Sequence, residues 1–373
     1  MEQKALPEVC HIQYGYPFDS KRFSDKEGFP LIRIRDVVRG HTETFTTESC
    51  NDEYIVKKGD ILIGMDGMFN VAKWKGNTAY LNQRVCKIEP NSSIVADYLF
   101  YYLPCALKKI ENKTAFVTVK HLKAKQLNSI LIPCPPVKEQ KRIAQILDLL
   151  FYLICQKKKQ LNYLDELVKS RFIEMFGHSD RPKVRLGECC IINPKKSSDI
   201  RLVDNDLMVS FVSMSDVSED GQIVTCNHKQ YESVKSGFTY FSENDVLFAK
   251  ITPCMENGKG GIAKGLLNGI GFGSTEFHVL RPIDQVSNSC WLYELTSFPQ
   301  FRQAAEINMT GSAGQRRVPA SFLANYKVSL PPISLQNQFA DFVHQLDKSK
   351  LAVQKSLDEL EILKKSLMQT YFG

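Results

Sequence analysis

The chain has 373 residues, with 48 lysines and arginines against 41 aspartates and glutamates, a formal charge of +7. At roughly 150 residues per domain this makes about two to three domains, which can bury their cores without disulfides. With 43% hydrophobic and 24% charged residues it is neither disordered nor collagen-like, and its mild basicity permits a polyanionic partner without demanding one.

The 11 cysteines are an odd number with no Cys-x-x-Cys spacing, and with only 7 histidines no zinc-ligand pattern assembles. We expect free thiols in a reducing compartment, a cytoplasmic location and no metal site. The start MEQKALPEVC lacks the apolar core of a signal peptide. The longest apolar run, Ile146 to Cys155, contains Asp148 and falls short of the about 20 residues a membrane span needs, so no membrane is expected.

Residues 1–134 look β-rich. Pro30-Leu-Ile-Arg-Ile-Arg alternates with period two, Lys58-Gly59-Asp60 turns into a strand Ile61-Leu62-Ile63, and Gly76-Asn77 makes a tight turn before a strand from Tyr80 to Ile88. The loop Gly64–Asn70 is glycine-rich and is followed by Lys73-Trp74-Lys75. Asn82, Gln83 and Arg84 fall in the next strand and carry side chains that read base edges. Lys120, His121 and Lys123 precede a long helix.

That helix, in 135–177, follows Pro135-Pro136, a pair that cannot continue a preceding helix. Its apolar residues Ile143, Leu147, Leu150, Ile154, Leu161, Leu164 and Val168 step by four and three, a heptad seam interrupted by Lys157. Residues 178–330 are again β-rich: Phe211-Val-Ser-Met-Ser-Asp-Val sits where Leu31-Ile-Arg-Ile-Arg-Asp-Val sat, and Asn244-Asp245-Val246-Leu247-Phe248 answers Gly59-Asp60-Ile61-Leu62-Ile63. Here Lys250, Asn257, Lys259, Gln315, Arg316 and Arg317 lie in glycine-containing loops suited to phosphate contacts through backbone amides and arginine forks, and to base contacts through Gln and Arg. Residues 331–373 form a second helix after Pro331-Pro332. Its seam is Phe339, Val343, Leu346, Val353, Leu357, Leu360, Leu367 and Tyr371, interrupted by Lys350 and Lys364.

The two helices are a duplication. Ala124 to Gly177 aligns with Ala320 to Gly373 at a constant offset of 196, with identities that include Pro135/Pro331, Gln140/Gln336, Leu150/Leu346 and Phe176/Phe372. Each helix, at 1.5 Å per residue, reaches about 60 Å. The alternatives are two separate amphipathic helices, each packed on its own domain, and a pair; seams of equal length, too long for one small domain to cover, favour the pair, which chain order then makes antiparallel. The expected fold is α+β: two β-rich globular domains, 1–134 and 178–330, separated by an antiparallel coiled coil of the helices in 135–177 and 331–373, in a pseudo-two-fold tandem repeat. The β-rich domains have drifted apart far more than the helices, as two different recognition surfaces held at one spacing would.

Catalytic patterns are missing. The sequence has no His-Glu-x-x-His, Gly-x-Ser-x-Gly, kinase set or P-loop. Asn193-Pro194-Lys195-Lys196 is like the Asn-Pro-Pro-aromatic motif of adenine methyltransferases but lacks the second proline and the aromatic.

The whole chain resembles the specificity subunits of type I restriction–modification enzymes. The resemblance is carried by Leu330-Pro331-Pro332-Ile333 with Gln336, by Pro135-Pro136-Val137 with Gln140, by the Phe-Gly ends of both helices, by Gly59-Asp60-Ile-Leu-Ile-Gly, by the string from Asp245 through Asn257-Gly-Lys-Gly, and by Gly273-Ser-Thr-Glu-Phe. It implies two target-recognition domains, each reading half of a bipartite site in double-stranded DNA, with the helices setting the spacer. It also implies docking of two modification subunits, and of restriction subunits where present. The chain itself would be non-catalytic and hold no cofactor, with S-adenosylmethionine, ATP and magnesium belonging to the partners, which methylate adenine and cleave DNA. One departure is Phe116-Val-Thr-Val-Lys-His121, which stands where the second domain has the Gly-rich Thr310–Arg317 loop. The alternative is a coiled-coil scaffold that never touches DNA. An autonomous methyltransferase would be detected by S-adenosylmethionine binding to the isolated chain.

Overall fold

The computed structural model describes residues 2–113, 120–177, 182–199, 201–202, 206–219, 221–223, 227–312 and 314–373. The chain forms two compact units, Met1–Lys158 with Lys355–Gly373, and Lys159–Gln354. Each long helix is continuous, Val137–Phe176 and Ile333–Phe372, and each contributes one half to either unit.

In the first unit an antiparallel sheet has the order Cys10–Tyr14, Val85–Pro90, Ile61–Gly64, Val71–Lys73. A second sheet contains Phe29–Ile32 paired in parallel with Ala79–Leu81. The second unit repeats this plan. Cys190–Ile192, Phe277–Pro282, Val246–Ala249 and Gly260–Ile262 form one sheet, and Met208–Val212 pairs in parallel with Ile270–Gly273 in the other. The core strands Ile61–Gly64 and Val246–Ala249 are buried along their whole length, which accounts for their unbroken apolar sequences.

Two expectations about strands are corrected. The alternating run from Pro30 is not all strand: the strand ends at Ile32 and a short helix, Ile34–Arg39, follows. The Asp36 carboxylate accepts a hydrogen bond from the Arg33 amide (2.9 Å) and turns the chain into that helix. Asp216 does the same for Ser213 (2.7 Å) in the second unit. The run from Tyr80 to Ile88 is two strands in different sheets, Ala79–Leu81 and Val85–Pro90, with Asn82–Arg84 forming the corner. Ser274–Glu276 is the matching corner between Ile270–Gly273 and Phe277–Pro282.

The helices run antiparallel within each unit. In the first, Ile143, Ala144 and Leu147 share a core with Leu367, Met368, Tyr371 and Phe372. The Phe372 ring packs edge-on against Tyr98 and Tyr102 (centroids 5.4 and 5.6 Å). In the second, Val168, Phe172 and Phe176 meet Phe339, Val343 and Leu346, with Phe339 at 5.4 Å from both Phe172 and Phe176. Leu150, Ile154, Val353 and Leu357 are buried; Leu161, Leu164, Leu360 and Leu367 are half-buried. The interrupting lysines are half-buried too. Lys350 pairs with Asp165 (2.6 Å), while Lys364 pairs with Glu361 and sits over the Phe151 ring (5.6 Å).

The Pro-Pro…Gln repeat has a structural role. The Gln140 side chain folds back so that Nε2 donates to Pro135 O (2.8 Å) and Ser93 O (3.2 Å), while Oε1 accepts from Val95 N (2.7 Å). Gln336 does the same with Pro331 O, Val286 O and Asn288 N. Both amides are fully buried, so each satisfies itself by tying its helix to the head beside it. Among the described residues no helix is long and apolar enough to cross a membrane.

Candidate nucleic-acid interface

Both units carry the same backbone junction at the sheet corner. In the first, Met65 N donates to Arg84 O (2.9 Å), Leu122 N to Met65 O (2.7 Å) and Gly67 N to Lys120 O (2.8 Å). In the second, Lys250 N donates to Glu276 O (2.9 Å), Val318 N to Lys250 O (2.9 Å) and Thr252 N to Arg316 O (3.0 Å). The corner, a core-strand exit loop and the segment before the long helix are thereby stitched together. The Gly64–Asn70 loop, the 82–84 corner and the Lys120–Lys123 segment, read separately in the sequence, meet here, as do their counterparts around Lys250, Glu276 and Arg316–Arg317.

The junctions match, but the side chains mounted on them differ. In the first unit Asp66 lies between Arg84 and His121, 3.4 Å from Arg84 Nε and in contact with His121 Nδ1. Gln83 and Lys123 are exposed beside them. In the second unit the place of Arg84 is taken by Glu276 and that of His121 by Arg317. Arg317 Nε and Nη2 donate to Glu276 Oε2 (2.9 Å) and Oε1 (2.8 Å). This fork holds the Glu276 carboxyl below the usual carboxylate range. Arg316 lies within 3.6 Å of Glu256 and 3.8 Å of Glu306, and Gln315 and Asn257 are exposed.

Several expected contact residues are spent internally. Asn82 is buried and its Oδ1 accepts from Gln83 N (2.8 Å), so it shapes the corner instead of presenting its amide. Lys73 pairs with Asp97 and lies over the Phe100 ring (5.0 Å). Lys120 donates to Glu111 O (3.0 Å) and Lys259 to Met214 O (3.1 Å). Lys75 is exposed in the turn after Val71–Lys73, outside the group that meets at Asp66. Lys250 is half-buried and lines a cleft with Lys196, Phe238 and Tyr240. The segment Phe116–Val119 and Ala313 lie outside the described residues.

Other residues were not singled out from the sequence. Asp66 and Glu276 are the acidic partners that orient the corner cations. Arg302 is buried under the 255–259 loop, donates to Met255 O (3.1 Å) and Gly258 O (3.2 Å), and stacks over Phe248 (4.5 Å). Burial pushes its guanidinium down to about 10. Its only sequence signal was a lone arginine in an amphipathic helix. Asn193 of the Asn-Pro-Lys-Lys motif is also accounted for: Nδ2 donates to His278 Nδ1 (3.0 Å) and Oδ1 accepts from Val279 N (3.0 Å). His278 Nε2–H in turn donates to Val318 O (2.8 Å), which assigns the neutral tautomer. Asn193 is a strut, not a base clamp.

A family model described as the type I restriction modification DNA specificity domain matches residues 1–164 and 179–361. The EcoBI type I restriction enzyme specificity subunit of Escherichia coli is 41% identical over 167 residues, 44% of this chain and 35% of that protein. The EcoEI specificity subunit of the same organism is 37% identical over 197 residues, 50% of this chain and 32% of that one. The match thus spans about a third of these two relatives. The MjaVIII specificity subunit of Methanocaldococcus jannaschii is 24% identical over 380 residues, 91% of this chain and 87% of that protein. Among solved structures, the S subunit of a type I restriction–modification system from M. genitalium superposes with a TM-score of 0.58 at 12% identity, covering 100% of this chain and 96% of that one. A second, from work on complex assembly and conformational transition of the type I system, gives 0.57 at 17% identity, covering 100% and 97%. These two share the fold.

Proposed function

Because the chain belongs to the type I restriction–modification DNA specificity domain family, matched in both of its repeats, we propose that it is the DNA-reading subunit of such a system. Each unit reads one half of a bipartite target. The observation that carries this reading is the pair of junctions. One backbone arrangement, repeated bond for bond, mounts Arg84, Asp66 and His121 in one unit and Glu276 and Arg317 in the other. A scaffold duplicated for stability alone gives no reason for its exposed corners to diverge in charge. Two readers of two different half-sites do.

Arg84, Gln83, Gln315, Arg316, Arg317 and Asn257 are the residues placed to meet base edges or phosphates. Arginine pairs with guanine and glutamine with adenine in the major groove, and a carboxylate such as Glu276 accepts from the cytosine amine. Exposed lysines such as Lys75 and Lys123 act on phosphates, which position the protein without reading sequence. The helices set the spacer, and their outer faces dock two modification subunits, with restriction subunits joining where present. S-adenosylmethionine, ATP and magnesium act in those partners.

The test is methylation mapping of DNA from cells that co-express the chain with its modification partner. Methyl-adenine in one split motif, lost when this chain is omitted, supports the reading. An active, assembled complex with no motif, or with a contiguous one, refutes it.

A further inference from the structure

We propose that Met68 and Pro253 are the apolar contact residues of the two DNA-reading corners, each pressing on the faces of a base step in its own half-site. The inference rests on the reading of the chain as a DNA-specificity subunit.

Met68 is 69% exposed. It stands at the tip of the loop that leaves the core strand Ile61–Gly64. Gly67, immediately before it, is stitched to Lys120 by its amide and has φ +71, a left-handed conformation suited to glycine. Phe69, immediately after it, is buried in the core and anchors the loop. Met68 O accepts from Asn70 N (2.8 Å), closing the tip. The side chain is thus carried outward on a short, pinned turn, two residues after Asp66, which meets Arg84 and His121.

The second unit places Pro253 in the same relation. It directly follows Thr252, whose amide makes the bond to Arg316 O that corresponds to Gly67 N with Lys120 O. It is exposed, while Met255, two residues on, is fully buried and anchors the loop. Its carbonyl accepts from Asn257 N (3.0 Å). The neighbouring side chains have changed in kind between the units, Arg84 to Glu276 and His121 to Arg317. The apolar character of the tip has not.

Methionine and proline offer no hydrogen-bonding group toward a base edge and no charge for a phosphate. The apolar surfaces that duplex DNA offers are the thymine methyl and the base faces. A thymine methyl is a sequence feature, and two corners with different polar readers have no reason to share it. Base faces occur at every step, so a residue type common to both corners fits a task common to both. Methionine and proline are among the side chains that wedge between base steps.

The experiment uses the full chain assembled with its modification partner and a duplex carrying the mapped target. 2-Aminopurine, which pairs with thymine, replaces one adenine at a time in either strand of the half-sites and their flanking pairs, excluding the methylated adenines and their neighbours. The expected result is a several-fold rise in fluorescence on binding at one step in each half-site. Met68→Ser abolishes the rise in one half-site only and Pro253→Ser in the other only, each weakening binding about tenfold. The untouched half-site reports that each variant is folded and bound. Salt-dependent binding to the mapped target with no rise at any position, or with a rise that survives both substitutions, overturns the inference and leaves the specificity reading intact. Variants whose loss is reproduced by replacing one thymine with deoxyuridine mark a groove-edge contact and overturn it as well. An assembled complex that shows no preference for the mapped duplex removes both.

Discussion

Arg317 holds Glu276 side-on through Nη2 and Nε, at 2.8 and 2.9 Å, across the sheet corner of the second unit. Neither residue is a free reader of DNA. The pair presents a carboxylate of fixed orientation together with the arginine's remaining donors. The two side chains therefore act as one unit, and their substitutions should not add. Arg317→Ala and Glu276→Gln should each cost about 1–3 kcal/mol in binding the mapped duplex and relax one position of one half-site. The double variant should cost little more than the worse single one, a coupling of about 0.5–3 kcal/mol. Titrations of all four proteins against the target and single-base variants measure it. Additive losses would show that the two act independently.

Gln140 and Gln336 each satisfy three backbone groups where a helix meets its head. Gln336→Leu keeps the apolar contacts but strands Asn288 N, Pro331 O and Val286 O in a buried place. It should lower stability by about 1–3 kcal/mol, read as a shift of the denaturant midpoint with little change in slope. Gln140→Leu should do the same to the first unit through Val95 N. A midpoint that stays put would mean that water replaces the amide at no cost.

The helices and their antiparallel pairing were legible because a heptad seam recurs at a constant offset within an aligned stretch of 54 positions, Ala124 to Gly177 onto Ala320 to Gly373. The corners were not. Ile34 continues the period-two pattern of Ile32, yet the bond from the Arg33 amide to Asp36 marks the place where the strand gives way to a helix. The residues from Tyr80 to Ile88 suit a strand throughout, yet the chain changes sheets at Asn82–Arg84, a tertiary choice that leaves no local mark. The site was legible as residue types only. Asn82 has the side chain of a base reader and the burial of a turn former. Glu276 meets Arg317 across a sequence distance that no spacing rule bridges.

Glu294 gives the second unit a pH dependence. It lies on the helix Ser289–Ser297, where burial raises its carboxyl to about 7, partly offset by Lys350 and Lys169, with Asp165 and Asp347 adding to the rise. The folded chain thus keeps a proton that the unfolded chain, titrating near 4.3, has lost. Stability attributable to this group should fall as pH rises from about 4.3 to 7 and stay level above that. His278, which burial pushes the other way, adds stability as pH rises through part of the same range. The readout is therefore the difference between wild type and Glu294→Gln. The variant should be the more stable at pH 8, with the gap closing toward pH 5. Parallel midpoint curves for the two proteins would assign the pH dependence elsewhere.

If the paired helices set the distance between half-sites, their length should be written in the target. A whole heptad inserted after Lys158 and another before Lys355, where the compact units divide, preserves the phase of both seams. Seven residues at 1.5 Å add about 10 Å, which is about three base pairs at the 34 Å helical repeat of B-DNA. The methylated motif should keep both half-sites and gain about three unread positions between them. A heptad in one helix alone should abolish methylation, because half of that seam then faces the wrong partners. Mapping methyl-adenine in cells that carry each insertion decides it. An unchanged spacer in the double insertion would remove the helices as the ruler and leave the heads as the only readers.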